Sequence, residues 1–122
     1  MLKHHIKATN FELTPAISDY LSKKLSALDK FTNDVEAIAR IEVGRTTHHH
    51  NKGDIFRAEI NLDLGEGKMF RAVCETSDIY SAIDQMKDDV LAEVTKAKRK
   101  NLHLLRRGHQ KIKDIMRRFS SK

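Results

Sequence analysis

The fold of this chain is decided by one stretch towards its C-terminal end, Asp78-Ile-Tyr-Ser-Ala-Ile-Asp-Gln-Met-Lys-Asp-Asp-Val-Leu-Ala-Glu-Val-Thr-Lys-Ala-Lys-Arg-Lys100. Its apolar residues recur at intervals of three and four, at Ile79, Ile83, Met86, Val90, Val94 and Ala97. That spacing places them along one side of an α-helix. Ser77 or Asp78 can cap the first turn, because a short oxygen-bearing side chain accepts hydrogen bonds from the free N–H groups there. The stretch therefore predicts a long amphipathic helix.

Charge is segregated along this helix and along the whole chain. The order of acids followed by bases suits the helix dipole. Up to residue 95 the chain has 12 Lys and Arg against 16 Asp and Glu, whereas from Lys96 onward it has 11 against Asp114 alone. The sequence thus predicts a mildly acidic body with a strongly basic C-terminal segment, which attracts polyanions such as nucleic acid or an anionic membrane surface.

The preceding residues predict four strands and one further helix. Apolar and polar residues alternate over 2–8, 35–45, 56–64 and 70–75, as in half-buried strands. Thr14-Pro15 predicts a helix start, and the helix runs to about Phe31 with Ile17, Leu21, Leu25 and Leu28 buried. Gly65-Glu66-Gly67 predicts a hairpin turn. The order β-α-β-β-β-α predicts a two-layer α+β domain, a four-stranded sheet with two helices packed on one face.

Two regions are expected, a domain over residues 1–100 and a basic amphipathic tail over 101–122. Gly108 predicts a break in the tail, and the helix beyond it is too short to be stable alone in water. The single cysteine, Cys74, excludes an intramolecular disulfide and fits a reducing compartment. With no signal peptide at the start and no apolar run of about 20 residues, we expect a cytoplasmic protein.

Metal binding and catalysis are both poorly supported. His48-His49-His50 are consecutive residues of a polar loop and do not converge on one ion as the ligands of a rigid site do. No glycine-rich phosphate loop follows a strand, and no serine or cysteine has an evident base. The carboxylates of the last helix lie on different sides of it. We therefore expect no metal, no cofactor, no small-molecule substrate and no enzymatic activity.

The basic segment is the best candidate site. Its cations are Lys96, Lys98, Arg99 and Lys100, spread around the helix, with Arg106 and Arg107 further along. If six to ten such groups neutralised phosphates, affinity would fall by ~10³–10⁵ between low and moderate salt. Lys23, Lys24 and Lys30 of the first helix are secondary candidates.

Several of these motifs resemble one known family. Thr14-Pro-Ala-Ile-Ser-Asp-Tyr-Leu21, Leu28-Asp-Lys-Phe31 and above all Asp78-Ile-Tyr-Ser-Ala-Ile-Asp84 with Lys96-x-Lys98 are similar to the ribosome hibernation promoting factor / ribosome-associated inhibitor (sigma-54 modulation protein) family, over about residues 1–100. The resemblance implies a fold like that of double-stranded-RNA-binding domains. The chain looks like a short member, without the second domain by which long members pair two ribosomes.

The resemblance also implies a partner and a site. Members bind the small (30S) subunit and its 16S rRNA within the 70S ribosome, in the channel between the subunits, where they block the tRNA and mRNA sites in stationary or starved bacteria. Carried over to this chain, rRNA contact falls on Lys96, Lys98 and Lys100. Where the family usually has two cations in mid-helix, this chain has Asp89 and Ala92, so we expect the segment 96–118 to supply the electrostatic anchor instead.

The resulting prediction is a non-enzymatic ribosome hibernation factor, a monomer away from the ribosome. Two alternatives remain open at this point. One is a general module for structured RNA. The other is a protein-interaction or membrane-surface module that uses the tail helix.

Overall fold

The computed structural model describes residues 2–30, 32, 36–46 and 53–120, with side chains as far as Lys100. The elements follow in the order β1 (Leu2–Thr9), α1 (Pro15–Asp29), β2 (Ala37–Thr46), β3 (Ile55–Asp63), β4 (Met69–Thr76) and α2 (Ile79–Ser120). The predicted order of strands and helices is therefore confirmed. Three sequence-based expectations, for Phe31, Val35 and His48–His50, lie outside the described residues.

The four strands form one mixed sheet in the order β1-β2-β3-β4. β1 runs parallel to β2, and the remaining neighbours are antiparallel. The parallel pair is the one joined through α1, as expected because parallel strands need a long crossover whereas antiparallel strands can be joined by a hairpin. One row of the register crosses the whole sheet through Ile6, Ile41, Ile60 and Ala72.

The core lies between one face of the sheet and the two helices. Every second side chain is buried over residues 37–43 of β2 and 58–62 of β3, and Ala39, Val43 and Ile60 have no exposed surface. The predicted buried face of α1 is confirmed at Ile17, Leu21, Leu25 and Leu28. α2 buries Ile79, Ala82, Ile83, Met86, Val90 and Val94. The two-layer α+β architecture follows directly from these periodicities of two and 3.6 residues.

Both helix starts are capped by side chains. The backbone N–H of Ile17 donates to Thr14 Oγ1 over 3.3 Å, and Pro15 occupies the first helical position. At the start of α2 the Asp78 carboxylate accepts from the N–H groups of Tyr80 and Ser81, at 3.4 and 3.3 Å. Asp78, rather than Ser77, is therefore the cap, and it satisfies N–H groups that the helix leaves free.

The predicted hairpin between β3 and β4 is confirmed. Gly65, Glu66 and Gly67 have φ angles of 81°, 54° and 77°, in the left-handed region that glycine adopts without steric cost. The turn is closed by a hydrogen bond from the Leu64 N–H to the Lys68 carbonyl, at 2.9 Å. It places β4 at the edge of the sheet, in register with β3.

The expected break at Gly108 is wrong, because α2 continues through it to Ser120. One glycine inside a helix costs about 1 kcal/mol relative to alanine, which is too little to end a long helix. The expected boundary at residue 100 lies within α2, so the division into a domain and a tail stays a prediction. The chain forms two compact units, Met1–Ala92 and Glu93–Lys122. Among the described residues, neither helix has an apolar stretch that could cross a membrane.

Candidate nucleic-acid interface

The cations of α2 predicted to bind RNA are accessible to solvent. Lys96, Lys98, Arg99 and Lys100 are all exposed, whereas Val94 just before them is 1% exposed. Successive helical residues are about 100° apart, so these four side chains leave the helix in several directions. Long cationic side chains that are exposed to solvent are suited to phosphate contact from more than one side.

The other two α2 candidates are Arg106 and Arg107. Both lie in the helical backbone of α2, and their side chains are beyond those described. Their contribution to the site stays a prediction.

The three lysines predicted on α1 are not equivalent. Lys23 and Lys30 are exposed. The Lys24 ammonium lies 3.1 Å from Asp84 Oδ1 and 5.1 Å from the centre of the Tyr20 ring. A phosphate would have to compete with the Asp84 carboxylate for Lys24, so Lys23 and Lys30 are the better secondary candidates.

Asp84 is the centre of a polar cluster between α1 and α2. The Tyr20 hydroxyl donates to Asp84 Oδ1 over 2.6 Å, and the Tyr20 ring stands edge-on to the Tyr80 ring with centroids 4.8 Å apart. This hydrogen bond, together with Lys24, holds the pKa of Asp84 below its ordinary value. The same hydrogen bond raises the pKa of Tyr20. The cluster keeps Asp84 ionised and ties the two helices together.

A second polar contact joins β4 to α2. The buried Cys74 thiol donates to Asp89 Oδ2 over 3.3 Å. Burial, and then the Asp89 carboxylate, raise the pKa of Cys74 to about 11. Asp89 occupies one of the two positions where the family resemblance leads one to expect a cation. In this chain the carboxylate accepts a hydrogen bond from within the fold.

The carboxylates in the first half of α2, whose side chains are described, each have a separate local environment. Asp78 caps the helix, Asp84 and Asp89 bind the groups described above, and Asp88 lies 2.6 Å from the Lys87 ammonium. Within the described part of the chain no three His, Cys, Asp or Glu side chains converge as metal ligands would. His48–His50 are outside it, so the expectation for that loop stays untested.

Sequence reasoning missed two of these contacts. Tyr20 is 64 residues from Asp84 along the chain, and Cys74 is 15 residues from Asp89. Neither pair has a spacing characteristic of one helix or one strand. The only available signal was the position of each residue at the margin of a predicted apolar face.

The sequence of this chain is similar to those of known proteins. A sequence profile described as "Sigma 54 modulation protein / S30EA ribosomal protein" matches residues 4–101. Proteins named ribosome hibernation promotion factor, from Lactococcus lactis and Staphylococcus aureus, are 30% and 28% identical over 99 and 114 residues. Those alignments cover 80% and 92% of this chain, but only 50% and 57% of the relatives. The chain thus spans about half the length of these two relatives.

A shorter relative is matched over most of its own length. The ribosome hibernation promoting factor of Klebsiella oxytoca is 31% identical over 99 residues, which cover 79% of this chain and 93% of that protein. The N-terminal domain of Thermus thermophilus Protein Y superposes with a TM-score of 0.64 at 33% identity, covering 78% of this chain and 96% of that domain.

A ribosomal subunit interface protein from Coxiella burnetii has the same fold. Its TM-score is 0.58 at 22% identity, over 79% of this chain and 98% of that one. Because the sequence profile matches residues 4–101, most of the chain and part of each of its six strands and helices, the chain belongs to the Sigma 54 modulation protein / S30EA ribosomal protein family.

Proposed function

We propose that this protein is a ribosome hibernation factor of the bacterial cytoplasm. It binds the small subunit and its 16S rRNA in the channel between the subunits, and it inhibits translation by occupying the tRNA and mRNA sites. The hibernation role extends to this chain what the names of its relatives say of them, and the binding site on the small subunit is what the family resemblance implies. Binding and steric exclusion are sufficient for this role, and no chemical step is required.

One observation carries the proposal: four exposed cations within five residues of α2, in a chain of this family. From Lys96 onward the chain has a net charge of +10, against −4 for the preceding residues. Helix dipole compensation accounts for a few of these charges and leaves a large surplus. Such a surplus suits a polyanion recognised through its phosphates and shape, as structured RNA is.

The test compares a charge-reversed variant with a charge-preserving one. Lys96, Lys98, Arg99 and Lys100 are all replaced by Glu in the first, and the three lysines by Arg in the second. Binding of purified 30S subunits is followed by co-sedimentation at several salt concentrations. We expect the reversed variant to lose binding at least 10³-fold, on the scale of several phosphate contacts. The arginine variant should bind like the wild type, and both should melt at the wild-type temperature.

Retained binding by the charge-reversed variant would refute the assignment. Inhibition is measured separately, as peptide synthesis in a cell-free system saturated with the protein, and normal synthesis would refute the proposed role. A short A-form RNA duplex at matched salt distinguishes a hibernation factor from a general RNA-binding module. The hibernation role requires a clear preference for the subunit, whereas equal affinities would indicate the general module.

A further inference from the structure

Among the described residues, the face of the sheet opposite its buried side carries mainly polar side chains, and its two halves are charged differently. On the β1–β2 half the outward side chains include three cations, Lys3, Lys7 and Arg40, and one carboxylate, Glu42. On the β3–β4 half two cations, Arg57 and Arg71, meet three carboxylates, Glu59, Asp63 and Glu75. The first half therefore has a net positive charge and the second a net negative one.

The cations of the second half are already paired. Arg71 lies 2.6 Å from Glu59, and Arg57 lies 3.3 Å from Glu59 and 3.9 Å from Glu75. The pKa of Glu59 lies below its ordinary value because Arg71, and then Arg57, favour the ionised carboxylate. The guanidinium groups of Arg57 and Arg71 therefore already form ion pairs within the sheet.

The cations of the first half are free. Across the described residues no ion pair or hydrogen bond engages Lys3, Lys7 or Arg40, although all three are exposed. Glu42 stands opposite Lys7 in the register but accepts a hydrogen bond from the Thr9 hydroxyl, at 3.0 Å. Surface cations without partners are available to an external anion at no cost in broken contacts.

The register aligns hydrogen-bond donors in one row. His5 is opposite Arg40, and Arg40 is opposite Asn61. Neighbouring strands are about 4.8 Å apart, so an imidazole, a guanidinium and an amide follow one another across three strands. These residues line a shallow depression of about 320 Å³ together with Lys7 and two carboxylates, Glu42 and Glu59. Both carboxylates already have partners in the sheet, Glu42 in the Thr9 hydroxyl and Glu59 in Arg57, Arg71 and the Asn61 amide. The donors of the depression can hydrogen-bond phosphate oxygens in parallel with the charge attraction.

We propose that this β1–β2 surface is a second RNA-contact surface, which takes the phosphodiester backbone of a folded RNA strand. The residues that carry it are Lys3, His5, Lys7, Arg40 and Asn61. The inference rests on the proposed function, to which it adds a contact on a face of the domain remote in sequence from the α2 cations. A backbone is the fitting ligand because no outward-facing side chain of the described strands is Phe, Tyr or Trp, so the surface lacks an array of large rings on which successive bases could stack.

The first test maps the surface directly by NMR. The ¹⁵N-labelled full chain is titrated with a short A-form RNA duplex at low salt. Amide shifts at residues 3–7 and 38–42, with none at 69–75, support the proposal. Shifts restricted to α2, shifts of equal size at 69–75, or no shifts at all would overturn it. This readout needs no ribosome and is therefore independent of the proposed function.

The second test uses a matched pair of arginines in the same row of the register. Arg40→Gln removes a free guanidinium, and Arg71→Gln removes one that is bound to Glu59. We expect Arg40→Gln, combined with Lys7→Gln, to weaken 30S binding by roughly tenfold or more, and to lower the slope of log affinity against log salt by about two. Arg71→Gln should leave affinity within about threefold.

A charge-preserving variant serves as the control for the Gln double variant. Arg40→Lys with Lys7→Arg keeps both charges and should restore wild-type affinity. Unchanged binding by the Gln double variant, while the charge-reversed α2 variant loses binding, would overturn the sheet-face proposal and leave the proposed function intact. Failure of the wild type to bind subunits would instead refute the proposed function.

Discussion

The two halves of α2 carry opposite charge and use it in opposite ways. In the first half, Asp84 and Asp89 accept hydrogen bonds from Tyr20 and Cys74, and Asp78 caps the helix. In the second half the cations Lys96–Lys100 are exposed to solvent. The carboxylates with partners inside the domain stabilise the fold, whereas the exposed cations are accessible to a ligand. One helix therefore combines a structural segment with the segment that we propose binds RNA.

The largest expected effect tests whether the first half of α2 determines stability and the second half does not. Met86 is fully buried in the first half, so Met86→Ala should lower the free energy of unfolding by about 2–5 kcal/mol through lost contacts and a residual cavity. Lys96→Ala, in the second half, should change it by less than about 0.5 kcal/mol. Urea denaturation followed by circular dichroism measures both, and similar losses in the two variants would contradict the division.

Asp89→Lys tests the comparison by placing a cation, typical of the second half of α2, at a position in the first half. Replacing the carboxylate removes the acceptor of the Cys74 thiol, which should cost roughly 1 kcal/mol of stability. It also introduces the cation that the family resemblance implies there, so 30S binding should tighten severalfold and its salt slope should grow by about one.

Asp88→Lys is the control for this change, since the Asp88 side chain is 66% exposed and forms an ion pair with the neighbouring Lys87. It adds the same charge without removing a contact to the sheet. If Asp89→Lys weakens RNA binding, or if both variants are equally destabilised, position 89 has no special role.

The smallest effect concerns the pH dependence of the α1–α2 cluster. The pKa of Asp84 is lowered in the folded state by Tyr20 and Lys24, so its ionised form contributes stability above the ordinary aspartate pKa of about 4. That contribution is lost as pH falls through the lowered value. Asp84→Asn should thus cost about 0.5–1 kcal/mol near neutral pH, and the difference from wild type should shrink below about pH 4. A constant difference in thermal melts from pH 7 to pH 3 would contradict this assignment.

Local patterns sufficed to predict most of the fold. Thr14-Pro15, the apolar spacing of Leu21 and Leu25, and the glycines around Glu66 each act within a few residues, and each is found as expected. Gly108 was misjudged because its intrinsic helix penalty is small against the helix on both sides of it. A propensity scale ranks such a residue correctly and still cannot decide whether the helix ends there.

The site was predicted less completely, because side-chain partnership depends on the tertiary fold. Lys23 and Lys24 are adjacent and chemically identical in the sequence, yet only Lys24 meets Asp84. Likewise, Arg40 and Arg71 occupy equivalent outward positions on strands, and only Arg71 meets Glu59. Which cations remain available to an external anion depends on how the helices and strands pack together.

Chemical modification of the buried Cys74 thiol can measure local opening of the fold. With a pKa of about 11, on the order of one thiol in ten thousand is ionised at neutral pH. The folded molecule should therefore resist alkylating agents and thiol-linked dimerisation. As this is the single cysteine in the chain, any labelling signal reports the opening of the β4–α2 contact. The rate of modification then measures how often that contact opens, without a probe having to be introduced.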